Sequence, residues 1–172
     1  NILNPFQFKE IRFALNYLIN REFIVDEILN GYGSVQIDPF GISSPEYEAL
    51  IPVIESYNFK YNPNLAKAII EKALISNGAI KVDGKWTYKG SPITIKFMIR
   101  SDDLPRKSMG EIVANQLENI GFTVQRDYGD LNKANLVVYG TDPQELTWQV
   151  YTEAFGGTSE FVRYNPSTAA QM

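Results

Sequence analysis

Apolar residues in the first half of the chain recur every three or four positions, the spacing that is typical of amphipathic helices. The pattern runs through residues 8–19 and 22–29 and returns in a shorter segment at 45–51. A further helix is expected to begin at Asn62 and Pro63, because Asn is a good helix cap and Pro fits the first helical turn. The first half of the chain is therefore predicted to be helical.

The period changes after residue 78, where short runs of strand-forming residues replace the helical spacing. Residues 79–82 and 85–88 flank the pair Asp83-Gly84, which is a strong signal for a two-residue hairpin turn. We therefore expect an antiparallel hairpin immediately after the helical half.

A strand, a helix and a second strand are predicted next. Residues 93–100 alternate as in a strand, residues 107–119 carry apolar positions at helical spacing, and residues 122–126 form another short apolar run. Parallel strands joined by a helix almost always cross over right-handedly, with the helix packed on the sheet. These residues are therefore expected to form a right-handed β-α-β unit.

The last apolar segments predict a third strand at residues 134–139 and a final helix at residues 143–154, with Asp142 as its cap. The tail from Gly156 onwards has the composition of a loop. The whole pattern indicates a single domain over residues 1–172 of mixed α/β class, with helices packed on a mixed sheet.

Composition narrows the chemistry. The chain has no cysteine and no histidine, which excludes disulfides, thiolate or imidazole metal sites and the most common catalytic base. The formal net charge is −4 and no run of Lys or Arg occurs, so nucleic-acid binding is not expected. The chain begins with Asn rather than Met and lacks a signal-peptide pattern, so we expect a piece of a longer protein.

Four stretches of sequence carry recognisable motifs and together span nearly the whole chain. The first two are Asn4-Pro5-Phe6 with residues 11–21, and Tyr61-Asn62-Pro63 with Ala66-Lys67-Ala68. The others are Gly90 and Pro92 with residues 112–117 and 120–124, and residues 140–143 with 148–155. In this order the motifs resemble the family 5 extracellular solute-binding proteins, the dipeptide-, oligopeptide- and nickel-binding receptors of ABC importers. The fourth looks like a variant found in some archaeal and thermophilic members.

The resemblance implies both a fold and a role. It implies one lobe of a type II periplasmic-binding-protein fold, in a receptor that closes on its solute by hinge bending while the other lobe lies outside this sequence. The expected ligand is a small polar solute, an oligopeptide or an oligosaccharide, which is passed to ABC permease subunits. Such a receptor is expected to be extracellular or periplasmic, monomeric, not an enzyme, and without a cofactor.

The resemblance also implies that the ligand faces the segment that begins at Tyr151. In peptide-binding relatives a Gly-Trp pair lines the cleft in this region. Phe155 stands at the Trp position, and Gly156 and Gly157 would allow a backbone to come close to a ligand. We therefore expect these four residues to contact the solute.

The same segment bears on the class of ligand. In those relatives an Asp a few residues after the Trp holds the amino group of the peptide. Here Thr158 or Ser159 falls near that position, and Glu160 is the nearest carboxylate. An oligosaccharide, which takes hydrogen bonds from neutral groups, therefore fits these candidate ligand residues as well as a peptide does.

The remaining candidates have simpler structural interpretations. Trp148, Tyr151 and Phe155 share one face of the predicted last helix, which favours core packing. Arg12 and Arg21 are expected to serve as helix-end charges or in ion pairs. Several charged residues after the strand at 93–100 are expected to form a solvated loop; they are Arg100, Asp102, Asp103, Arg106 and Lys107.

Two other classes of protein remain as alternatives. A carboxylate-based hydrolase would use a pair from Asp38, Glu46 and Glu48, or Asp102 with Glu111, although no spacing singles out one pair. The chain has no phosphate-binding loop, dinucleotide fingerprint or nucleophile elbow. A non-catalytic interaction domain would instead expose a large apolar face.

Overall fold

The computed structural model describes residues 2–37 and 45–154 of the 172-residue chain. Its first half is helical, as the spacing of apolar residues predicts. Asn62 caps one helix by accepting a hydrogen bond from the Leu65 amide at 3.0 Å. The helices are α1 (Lys9–Leu18), α2 (Arg21–Phe23, continued by a π-helical turn at Ile24–Ile28), α3 (Pro45–Tyr57) and α4 (Pro63–Ser76).

The predicted hairpin is confirmed. Strand β1 (Ala79–Val82) pairs antiparallel with β2 (Lys85–Tyr88), and Asp83 and Gly84 between them have φ angles of 47° and 79°. Two consecutive positive φ angles are typical of the turns whose twist matches that of paired strands. A short β3 (Ser91–Pro92) pairs with β2 and completes a three-stranded antiparallel sheet.

The strand, helix and strand predicted between residues 93 and 126 are also present. Strands β4 (Thr94–Arg100) and β5 (Thr123–Gly129) pair in parallel over all 7 residues of each. Helix α5 (Leu104–Asn119) connects them and packs against both. The parallel direction follows from the long connection, since a tight turn cannot join parallel strands.

The strand predicted at residues 134–139 is wrong, because this segment lies in helix α6 (Leu131–Val138) and the residues just after it. Ala134 and Val138, one helical turn apart, are buried, whereas Leu136 between them is 71% exposed. Residues at alternate positions of a strand would share one face. A short apolar run is compatible with both the helical and the strand period, which is why the sequence pattern predicts a strand here.

The helix predicted at residues 143–154 is also wrong, although its start signal is real. Asp142 caps a single 3-10 turn at Pro143–Glu145. Leu146 then adopts a left-handed backbone with a φ of 49°, which ends the turn, and the chain continues into strand β6 (Val150–Tyr151). Strand β6 pairs in parallel with β4, so the second sheet has the order β5-β4-β6.

The mixed α/β class is confirmed, with the strands divided between one antiparallel and one parallel sheet. Trp86 links the antiparallel sheet to the end of helix α5, because its buried indole N–H donates to the Ile120 carbonyl at 3.0 Å. The main core contains the fully buried side chains Ile11, Leu18, Ile70, Leu74, Ile95, Phe97, Ile99, Leu117 and Phe122. Across residues 2–37 and 45–154, no helix has both the length and the apolar character needed to cross a membrane.

Candidate functional site

The three parallel strands β4, β5 and β6 all end at one edge of their sheet. Their last residues are Arg100, Gly129 and Tyr151. We call this region the carboxyl edge and define it as residues 100–103, 129–131 and 151–154. Because open α/β sheets bind ligands outside the carboxyl ends of their strands, the carboxyl edge is the candidate functional site.

Arg100 is the only buried charged residue in the described part of the chain, so its expected place in a solvated loop is wrong. Its Nε and Nη2 atoms donate to the two carboxylate oxygens of Asp102 at 2.7 and 2.9 Å. Its backbone amide donates to the Thr152 hydroxyl at 2.9 Å. Arg100 therefore joins the end of β4 to the chain that leaves β6.

Electrostatics hold the Arg100–Asp102 pair in its ionised form. Hydrogen bonds from Arg100 lower the pKa of Asp102 to about 2, against an opposing effect of desolvation. The bonds to Asp102, and then a contact with the Tyr151 hydroxyl, raise the pKa of Arg100. Both side chains therefore stay charged at physiological pH, and together they carry no net charge.

The chain is held in place as it leaves β6. The Thr152 amide donates to the Met98 carbonyl at 3.2 Å. Glu153 accepts a hydrogen bond from the Tyr139 hydroxyl, which raises the pKa of Tyr139 to about 12. The other carboxylate oxygen of Glu153 accepts from the Ala154 amide at 2.8 Å. The last described residue is thus fixed at the carboxyl edge.

One of the residues predicted to face the ligand is described, and it lies at this site. Tyr151 is half-buried and packs against Met98, Ala134 and Val138, on the α6 side of the sheet. The predicted helical face of aromatic residues does not form, because Tyr151 lies in a strand. The other predicted ligand residues lie outside the described part of the chain; they are Phe155, Gly156, Gly157, Thr158, Ser159 and Glu160.

A cavity of about 180 Å³ lies at the opposite, amino edge of the parallel sheet. Its lining comprises Asn4, Pro143, Leu146, Thr147, Trp148 and Gln149. The Gln149 amide donates to the Lys96 carbonyl at 2.9 Å, near the start of β4. The cavity is smaller than the roughly 300 Å³ at which ordinary ligand pockets begin. Because Trp148 lines this cavity, it lies at the amino edge and away from the candidate site.

Arg12 and Arg21 bond to oxygens of the protein. Arg12 donates to the carbonyls of Phe6 and Gln7 at 2.6 and 3.0 Å. Arg21 donates to the Asn16 carbonyl at 3.0 Å and to the Asn16 side chain at 2.8 Å. The expected role of both arginines at helix ends accounts for these bonds.

Asp102 and Glu111, one of the carboxylate pairs considered for a hydrolase, both bond to arginines. Asp102 pairs with Arg100, whereas Glu111 accepts hydrogen bonds from Arg126 at 3.1 Å and from the Tyr128 hydroxyl at 2.5 Å. A carboxyl with a lowered pKa is a poor general acid at neutral pH, which argues against that role for Asp102. Within the described residues, no cluster of three or more His, Cys, Asp or Glu side chains could hold a metal ion.

The sequence matches known proteins of one family. The sequence model for bacterial extracellular solute-binding proteins, family 5 middle region, matches residues 2–168. The nickel-binding periplasmic protein of Escherichia coli strain K12 is 31% identical over 116 residues, which make up 66% of this chain and 20% of that protein. The chain therefore spans about a fifth of the length of this curated relative.

Solved structures share the fold. The periplasmic oligopeptide-binding protein of Thermotoga maritima, with mannohexaose bound, matches with a TM-score of 0.63 and 25% identity over 78% of this chain and 25% of its own. The oligopeptide-binding protein AppA of Bacillus subtilis, in complex with a nonapeptide, matches with a TM-score of 0.55 and 23% identity over 77% of this chain and 25% of its own.

Proposed function

Because the chain belongs to the bacterial extracellular solute-binding proteins of family 5, we propose that it forms one lobe of a receptor that delivers a small polar solute to an ABC permease. Its fold is the mixed α/β fold of type II periplasmic binding proteins. Since the chain spans 20% of its curated relative, we assign the second lobe to a part of the receptor beyond this sequence.

The solute binds at the carboxyl edge in this proposal. The observation that carries it is the common end of three parallel strands, at which Tyr151 lies and from which the chain continues toward the predicted ligand residues. Closure of the second lobe over this edge would complete the cleft and present the solute to the permease. The receptor acts outside the cell as a monomer and performs no chemistry on the solute.

The ligand is an oligopeptide or an oligosaccharide. The only buried charge of the described residues, Arg100, is neutralised by Asp102, so this pair presents no net charge to the solute. The chain also has no histidine and no cysteine, so it offers neither imidazole nor thiolate to a nickel ion. These features favour an organic solute over the metal named for the curated relative.

Calorimetric titration of the complete gene product tests this function. The probes are mannohexaose, a nonapeptide and a nickel salt, and we expect micromolar or tighter binding of one organic probe. Mass spectrometry of the probes after incubation is the control for catalysis, and we expect them to be recovered intact. Absence of binding by every probe would contradict a receptor role, and a cleaved probe would favour the hydrolase.

A further inference from the structure

Arg100 and Tyr151 lie on the same side of the parallel sheet. Tyr151 is opposite Met98 in the register of β4 and β6, and Arg100 follows Met98 by two positions, so both point toward α6. The side chain of Arg100 is 9% exposed and bonds to Asp102. Arg100 and Tyr151 are diagonal neighbours on adjacent strands, a separation that long and aromatic side chains can bridge, and the Tyr151 hydroxyl is among the groups that raise the pKa of Arg100. The three side chains form a connected group that ends, at Tyr151, on the candidate site.

The chemistry of these groups fixes the direction of their hydrogen bonds. A guanidinium carries only donors, so Asp102 accepts from Arg100, and the Tyr151 oxygen can bond to Arg100 only as an acceptor. A phenol has a single proton, which is then left for another acceptor. Among residues 2–37 and 45–154, no hydrogen bond uses the Tyr151 proton, whereas the Tyr139 proton is donated to Glu153.

Building on the proposed function, we propose that Arg100, held by Asp102, orients the Tyr151 hydroxyl as a hydrogen-bond donor to an uncharged oxygen of the bound solute. Asp102 has two effects in this arrangement. It fixes the guanidinium through two parallel bonds, and it cancels the charge that would otherwise attract an anion. Arg100 is thus a positioning residue, and Tyr151 is the residue that touches the solute. A sugar hydroxyl and a peptide carbonyl both supply such an oxygen.

A double-mutant cycle on the complete gene product tests the inference. The variants are Tyr151→Phe, Arg100→Met and their combination, each titrated calorimetrically with mannohexaose and with a nonapeptide. Loss of one hydrogen bond weakens binding by about fivefold to tenfold, and we expect each single variant to lose this much. Because both act through one bond, the double variant should bind as well as either single variant.

Arg126→Met is the matched control. Arg126 also forms a two-point pair with a carboxylate, Glu118, at 2.7 and 2.8 Å, but it lies on β5 away from Tyr151. Its substitution should leave the affinity unchanged and should add nothing to Tyr151→Phe. Thermal melting shows which variants fold. If Arg100→Met does not fold, Asp102→Asn, which removes the carboxylate that holds the guanidinium, replaces it in the cycle with the same expected loss and the same lack of additivity with Tyr151→Phe.

The outcomes separate this inference from the function on which it rests. The positioning role would be overturned if Tyr151→Phe left the affinity unchanged. It would also be overturned if the affinity of the double variant fell by the product of the two single losses. Either result would leave the receptor function standing. Failure of the unmodified protein to bind either probe would overturn both. The probe whose affinity depends on Tyr151 identifies the source of the oxygen, sugar or peptide.

Discussion

A buried arginine is tolerated only when its charge and its donors are satisfied. Arg100 meets this requirement through Asp102, whose carboxylate is itself close to solvent, with 39% of its side chain exposed. The pair therefore lies at the boundary between the sheet and the space where a solute would bind. Its position explains why it can shape the site without presenting a net charge to the ligand.

The Asp102 carboxyl provides a test by pH. Its pKa falls from an ordinary 3.8 to about 2 on folding, so its ionised form stabilises the protein above about pH 4, and this contribution disappears as the pH falls toward 2. We expect Asp102→Asn to lower the free energy of unfolding at pH 7. The difference from the unmodified chain should shrink between pH 4 and pH 2, as measured by urea unfolding monitored by circular dichroism. A difference that is constant over this range would contradict the ion pair.

At the scale of elements, helix α6 gives the clearest conflict between local pattern and tertiary structure. Its residues include Leu136, Val137 and Val138, which favour strands as readily as helices. Asp130 settles the choice locally by accepting a hydrogen bond from the Lys133 amide at 2.9 Å as an amino-terminal cap. Packing of Ala134 and Val138 against Met98 then determines which face of the helix is buried.

Two truncations distinguish the helix from a strand. In helix α6, Val138 is 8% exposed and Leu136 is 71% exposed, so Val138→Ala should lower the free energy of unfolding by about 2 kcal/mol. The larger truncation, Leu136→Ala, should change it by less than about 0.5 kcal/mol. Chemical unfolding of both variants checks this. Equal losses would indicate the strand, in which the two side chains share a face.

The elements that could be predicted from sequence are those with local signals. Asn62 and Pro63 predict the start of α4, and Asp83-Gly84 predicts the hairpin. The change from strand-like to helical spacing of apolar residues predicts the β-α-β unit. Strand β6 has no such signal, because its pairing depends on hydrogen bonds to residues about fifty positions earlier in the chain.

The candidate site shows the same division between local and distant information. The family resemblance predicts Tyr151 as a ligand residue, and the structure shows that it lies at the carboxyl edge. The sequence places Arg100 in a solvated loop, because its bond to Thr152 joins distant parts of the chain and leaves no local signal. The available signal was its place as the last residue of an alternating strand, two positions after the buried Met98.

At the scale of the whole molecule, the family match confirms the resemblance on which the functional interpretation rests. The match covers residues 2–168, nearly the whole chain, while the 116 residues aligned with the curated relative make up 20% of that protein. In the proposed receptor a single lobe supplies half of the cleft, so its affinity should depend on both lobes. We therefore expect this chain alone to bind the solute much more weakly than the complete gene product, as a parallel titration would show.

The central claim is that the solute contacts the carboxyl edge of the parallel sheet. Hydrogen–deuterium exchange of the complete gene product, with and without a bound probe, tests it most directly. The account predicts slower amide exchange at residues 100–103 and 151–154 when the probe is bound, with no change at residues 146–149 beside the amino-edge cavity. Protection at residues 146–149 without protection at the carboxyl edge would contradict it.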